Sequence, residues 1–191
     1  MLVNKKLLVI VILVSLISIQ CSKKNNFTIE KGKVGVITKE TQIKDLSVIF
    51  KNDSIVSKLF DSVANSRENL FSNEDDEYII YSKNGDKLLE ISPEKLNDET
   101  STIKSIQIFN SNYKTEKGIS LKSTFKEINE HYLINKVEST LTSATLFIDE
   151  LNATISIDKK DLGLNGFSRE EISVEQIPDN AKVKYFTIWF N

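Results

Sequence analysis

A chain of 191 residues with 25 Lys and Arg against 27 Asp and Glu, 40% hydrophobic and 27% charged, has the balance of a folded protein rather than of a disordered tail. Its formal net charge of −2 leaves no cationic surplus for nucleic acid. The single Cys excludes an internal disulfide, and the single His excludes every metal site that needs two imidazoles.

In chain order, Lys5 and Lys6 come first, followed by thirteen uncharged residues, Leu7 to Ile19, then Gln20 and the lone Cys21. A positive start followed by an apolar run of about seven to fifteen residues is the layout of a secretory signal, whereas a membrane-spanning helix needs about 20 apolar residues. With a Cys directly after the run, the segment resembles a bacterial lipoprotein signal. Ser18 and Gln20 stand where that pattern prefers Leu and a small residue. The resemblance implies acylation of Cys21, with palmitate-like chains in sufficient number for stable anchoring. It also implies a protein tethered to the outer membrane and facing the periplasm, since Ser22 rather than Asp follows the Cys. Losing Lys5 and Lys6 leaves 23 basic against 27 acidic residues, a net of −4.

The expected organisation is a lipoprotein signal at 1–20, a lipidated Cys with its tether at 21–29, a first unit at 30–100 and a second at 101–191. An internal repeat suggests the two units. Ile37 to Phe50 aligns with Ile119 to Tyr132 at an offset of 82 residues, pairing Thr41 with Ser123, Ile43 with Phe125, Asp45 with Glu127 and Leu46 with Ile128. Each block predicts an extended lead-in and then a helix. Thr41 or Ser123 would cap it, an acid would sit at its positive end, and apolar residues at i, i+3 and i+7 would form its buried face. Strand patterns follow. They run over Glu77–Ser82 and Lys87–Ile91, joined at Asn84-Gly85 by a predicted type I′ hairpin, then Thr102–Asn110, Ala144–Asp149, Ala153–Asp158 and Val183–Phe190. The predicted fold class is α+β, two similar small units that each carry a short helix and an antiparallel sheet.

Ile37-Thr38-Lys39 before the first block, and Gly118-Ile119 with Leu121, Ser123 and Thr124 before the second, resemble the small protein A/OmlA (BamE-like) envelope lipoproteins. That resemblance implies a short helix packed on an antiparallel sheet and a protein-binding or scaffolding role in the envelope. It carries over no catalytic residue.

A search for chemistry is nearly empty, and no catalytic residue, cofactor or metal is expected. His131 has Glu127 one helical turn before it, a spacing that lets a carboxylate orient an imidazole, yet no Gly-x-Ser-x-Gly elbow or second His accompanies it. Asp161, Gly163, Asn165 and Gly166 imitate a calcium loop until its last position, which is Ile172 where a bidentate Glu is required. In the final strand, Phe186, Ile188 and Phe190 alternate as a core face. Tyr185 and Trp189, flanked by Lys182 and Lys184, fall on the opposite side as a candidate partner surface. The expected function is therefore a non-catalytic, lipid-anchored module that binds another envelope protein. The alternatives are a carboxylate-dependent hydrolase and a ligand-binding or inhibitor lipoprotein.

Overall fold

The computed structural model describes residues 26–59, 76–164 and 170–190, so the expected signal, Cys21, and Asn165 and Gly166 lie outside the described residues. Alternating apolar and polar side chains give the described residues twelve strands in two sheets. The smaller sheet contains β1 (Thr28–Glu30), β2 (Lys33–Val34), β3 (Ile37–Thr38) and β8 (Lys114–Thr115), in the order β3-β2-β1-β8. There β1 lies parallel to β8 and the other pairs are antiparallel. The larger sheet is antiparallel throughout and holds the remaining eight. Its first four are β4 (Ser54–Lys58), β5 (Glu77–Tyr81), β6 (Lys87–Pro93) and β7 (Ile103–Ile108). Next come β12 (Val183–Trp189), β11 (Ala153–Asp158), β10 (Ser143–Ile148) and β9 (Lys136–Ser139), in that spatial order.

Register explains why this sheet holds together. Ile55, Ile80, Leu89, Ile108, Phe186, Ile155, Leu146 and Val137 stand opposite one another from β4 to β9, one apolar row crossing all eight strands. Ile91, Ile106, Ile188, Ala153 and Ile148 form a second row on the same face. A slip of one residue would turn both rows outward, so burial fixes the pairing. Ile29, Val34 and Ile37 of the smaller sheet join the same buried cluster, together with Leu46, Phe125 and Ile128.

Two short helical segments lie against this core. A 3-10 turn at Ile43–Asp45 runs into α1 (Leu46–Ile49), and α2 spans Phe125–His131. Both are capped one residue later than the expected Thr41 and Ser123. Gln42 and Thr124 are the N-caps, with Asp45 and Glu127 accepting back from their amides. The hydroxyls of Thr41 and Ser123 accept instead from the amides of Thr38 and Ser120 at 3.0 and 3.2 Å, tying the turns before the caps.

The predicted fold class is corrected here. Instead of an α+β pair of helix-plus-sheet units, the protein is mostly β, and α2 is the one helix longer than about a turn among the described residues. Strands on either side of residue 100 are hydrogen-bonded to each other, and β7 pairs with β6 on one side and β12 on the other. Separate units would have left those two strands as unpaired edges, and joining them removes both. The hairpin is corrected too. Gly85 has φ +85° while Asn84 does not take positive φ, so the turn is not type I′. Gly85 N donates to Ser82 O at 2.9 Å, Ser82 N donates to Asp86 O at 2.8 Å, and a register shift follows at Tyr81.

Candidate ligand-binding site

The loops at one end of β4 to β7 enclose a cavity of about 360 Å³, within the usual range for small-ligand sites. Five segments build it: residues 26–27 leading into β1, the β2–β3 turn, the end of α1 and the bend after it, the β5–β6 hairpin, and the link from β7 to β8. Each is held in place by local bonds. Gly35 N donates to Thr28 O at 2.8 Å, and a Cβ at Gly35 would lie 2.3 Å from the carbonyl oxygen of Asn26, so only glycine lets these backbones approach. Asp53 N donates to Phe50 O at 2.8 Å, which turns the chain after α1. Ser82 Oγ accepts from the amides of Asn84 and Asp86, both at 3.2 Å, and fixes the hairpin tip. Asn110 Oδ1 accepts from Asn112 N at 2.9 Å in an Asx turn that delivers Tyr113 to the interior.

The cavity has an apolar floor and a polar rim. Phe50, Leu88 and the ring of Tyr113 form the floor, and Phe27 meets Tyr113 edge-on with ring centroids 5.0 Å apart. Asn26, Asn84, Asn110, Asn112 and Ser82 line the rim together with two carboxylates, Asp53 and Asp86; no Lys, Arg or His lines it among the described residues. Tyr113 is 3% exposed. Burial, and next the negative charge of Asp53, push its phenol up to about 12, so it stays protonated at any physiological pH. Its hydroxyl has no hydrogen-bond partner among the described residues. Every sealed side-chain nitrogen or oxygen there does have one, so this hydroxyl keeps some accessible surface, on a residue that lines the cavity.

The sequence-predicted positions lie elsewhere. Tyr185 is 43% exposed on the outer face of β12, opposite Ser156, with the Lys184 ammonium 5.3 Å from its ring centroid. Trp189 shares that face but is half-buried, and its indole N–H donates to Thr154 Oγ1 at 3.2 Å. Ser156, Thr187 and Thr154 surround them, so the face is rich in hydroxyls rather than apolar. Lys184 is drawn to Asp158 at 2.8 Å, which holds that carboxyl below its usual range and the ammonium above its own. His131 is exposed at the last turn of α2, where a cation suits the helix end. Glu127 accepts from the Thr124 amide at 2.8 Å, so the carboxylate whose spacing would allow it to orient His131 serves as part of the helix cap. Asp161 belongs to a 3-10 turn, Lys159–Leu162, that ends at left-handed Gly163. No group of three or more His, Cys, Asp or Glu able to hold a metal ion occurs among the described residues.

Sequence reasoning passed over the cavity because its residues sit in connections read as tether and turns. The signal available was a density of Asn and Asp at three turns, Asn84 to Asp86, Asn110 to Asn112, and Asn52-Asp53, flanked by aromatic residues. Fold and site together define a mostly-β protein with a loop-built, amide-rimmed cavity at one end of an eight-stranded antiparallel sheet. No family model and no curated protein matches the chain. Among solved structures it is similar to the uncharacterized protein yfeY from Escherichia coli, with a TM-score of 0.54 and 13% identity over 85% of this chain and 99% of that one. At that identity the likeness shows the fold alone.

Proposed function

We propose that this chain is a non-catalytic, lipid-anchored binding protein of the bacterial envelope, tethered through Cys21 to the outer membrane and facing the periplasm. The observation that carries the binding role is the Tyr113 hydroxyl, a donor without a partner among the described residues, on a buried ring that lines a cavity of ligand size. Loops held at the end of a rigid scaffold are a common place for binding residues. Support for the anchor comes from the charged start, the apolar run and the Cys that follows it after Gln20. Fractionation of cells expressing the full chain tests the anchor. Wild type is expected in the membrane fraction with an acylated N-terminal Cys21 by mass spectrometry, and Cys21→Ala is expected to leave that fraction with its thermal transition unchanged. Retention of Cys21→Ala with the membranes would count against acylation.

A second reading places an envelope protein on the outer face of β12, favoured by the 43% exposure of Tyr185 on the face that also carries Trp189. A photo-crosslinker at position 185 would then yield one discrete adduct in whole envelopes. An unmodified band would remove this reading.

A further inference from the structure

Resting on the reading of the chain as a binding protein, we propose that the cavity between the β5–β6 hairpin and the β7–β8 link is a saccharide site, taking a neutral polyhydroxylated ring of mono- to disaccharide size. The rim decides the chemistry. Each Asn side chain offers a donor and an acceptor, as each sugar hydroxyl does, and the carboxylates of Asp53 and Asp86 accept from two hydroxyls at once. The Tyr113 hydroxyl, protonated and without a partner among the described residues, supplies a donor from the floor. Two other ligand classes fit less well. An anion would face two carboxylates with no cationic side chain lining the cavity among the described residues. A simple cation would use the acceptors alone and leave the amide and phenol donors idle. The aromatic floor completes the match, because a pyranose presents C–H groups on the faces of its ring and hydroxyls around its edge. Phe50 and Tyr113 lie below, and the amide and carboxylate rim surrounds them.

Calorimetric titration of the full chain, in a detergent without a sugar headgroup, tests the inference. The probes are N-acetylglucosamine, its β1,4-linked disaccharide and maltose, with putrescine and inorganic phosphate as the cationic and anionic controls. At least one saccharide is expected to bind saturably while neither control does, and Asp53→Asn and Tyr113→Phe are each expected to weaken that binding tenfold or more at an unchanged melting temperature. Should Tyr113→Phe fail to fold, Asp86→Asn on the exposed hairpin takes its place with the same expectation. Putrescine binding that depends on Asp53, with no saccharide binding, would overturn the saccharide assignment and leave the binding-protein reading standing. Saccharide binding indifferent to all these substitutions would overturn the site. Binding accompanied by cleavage of the disaccharide would support the sugar site and remove the non-catalytic reading instead.

Discussion

Tyr113 makes a prediction that needs no knowledge of a ligand. A phenol whose folded-state pKa is raised from 10.0 to about 12 stabilises the fold fully below pH 10 and loses that contribution as pH climbs through 12. Ultraviolet titration is expected to show a tyrosine ionising near pH 12, about two pH units above the ordinary phenol value of 10.0, and this step should vanish in Tyr113→Phe. Stability should fall by roughly 2–3 kcal/mol over that interval, and Tyr113→Phe should remove both effects. Gly35 gives a second test at the same scale. With φ +61° and a virtual Cβ 2.3 Å from the Asn26 carbonyl oxygen, Gly35→Ala is expected to lower stability by about 2 kcal/mol or more, read as a drop of several degrees in Tm. Legibility at this scale was uneven. The pattern of Lys5, Lys6, the apolar run and Cys21 is plain in the chain but lies outside the described residues, whereas Asp53, Asn84 and Tyr113 become neighbours only when a bend, a hairpin and a link converge.

Among the elements, long alternating strands were the ones written plainly in the chain. Ala153–Asp158 forms as read, and β5, β6, β7, β10 and β12 match their expected runs to within two residues or so at each end. Their rows of Ile, Leu and Phe carry a strong period of two. By contrast β1, β2, β3 and β8 are two or three residues long and owe their pairing to backbone bonds set by tertiary contact, and β4 and β9 are largely exposed, so no alternation marked them. The helical stripe was overread. In the first block Ile43, Leu46 and Phe50 are buried as spaced, yet one 3-10 turn and one α turn suffice to bury them. Both caps shifted by one residue because Gln42 and Thr124 each stand three positions before an acid able to bond back. Thr124→Ala is expected to destabilise the protein by about 1 kcal/mol through loss of the α2 cap, measurable by denaturant unfolding at unchanged slope.

For the molecule as a whole, the error of scale in the sequence reading was to close two small sheets where one large sheet forms. The periodicities are the same in either arrangement, and what decides is which strand borders which. Phe186 sits where the two four-stranded halves of the large sheet, β4 to β7 and β12 to β9, meet, paired with Ile108 on one side and Ile155 on the other, and is fully buried. Phe186→Ala is expected to cost about 3–5 kcal/mol, and a single unfolding transition seen by both fluorescence and circular dichroism would confirm that the halves melt together. Two separated transitions would show that they do not.

The position of β12 also governs how the protein comes to be assembled. In the chain it follows the other eleven strands, yet in space it is the keystone between β7 and β11, joining Ile108 to a partner 78 positions away. Contacts so remote in the chain make for slow folding. A chain still lacking residues 183–189 therefore carries two raw sheet borders, on β7 and β11, and that interval is when it is most open to wrong pairing.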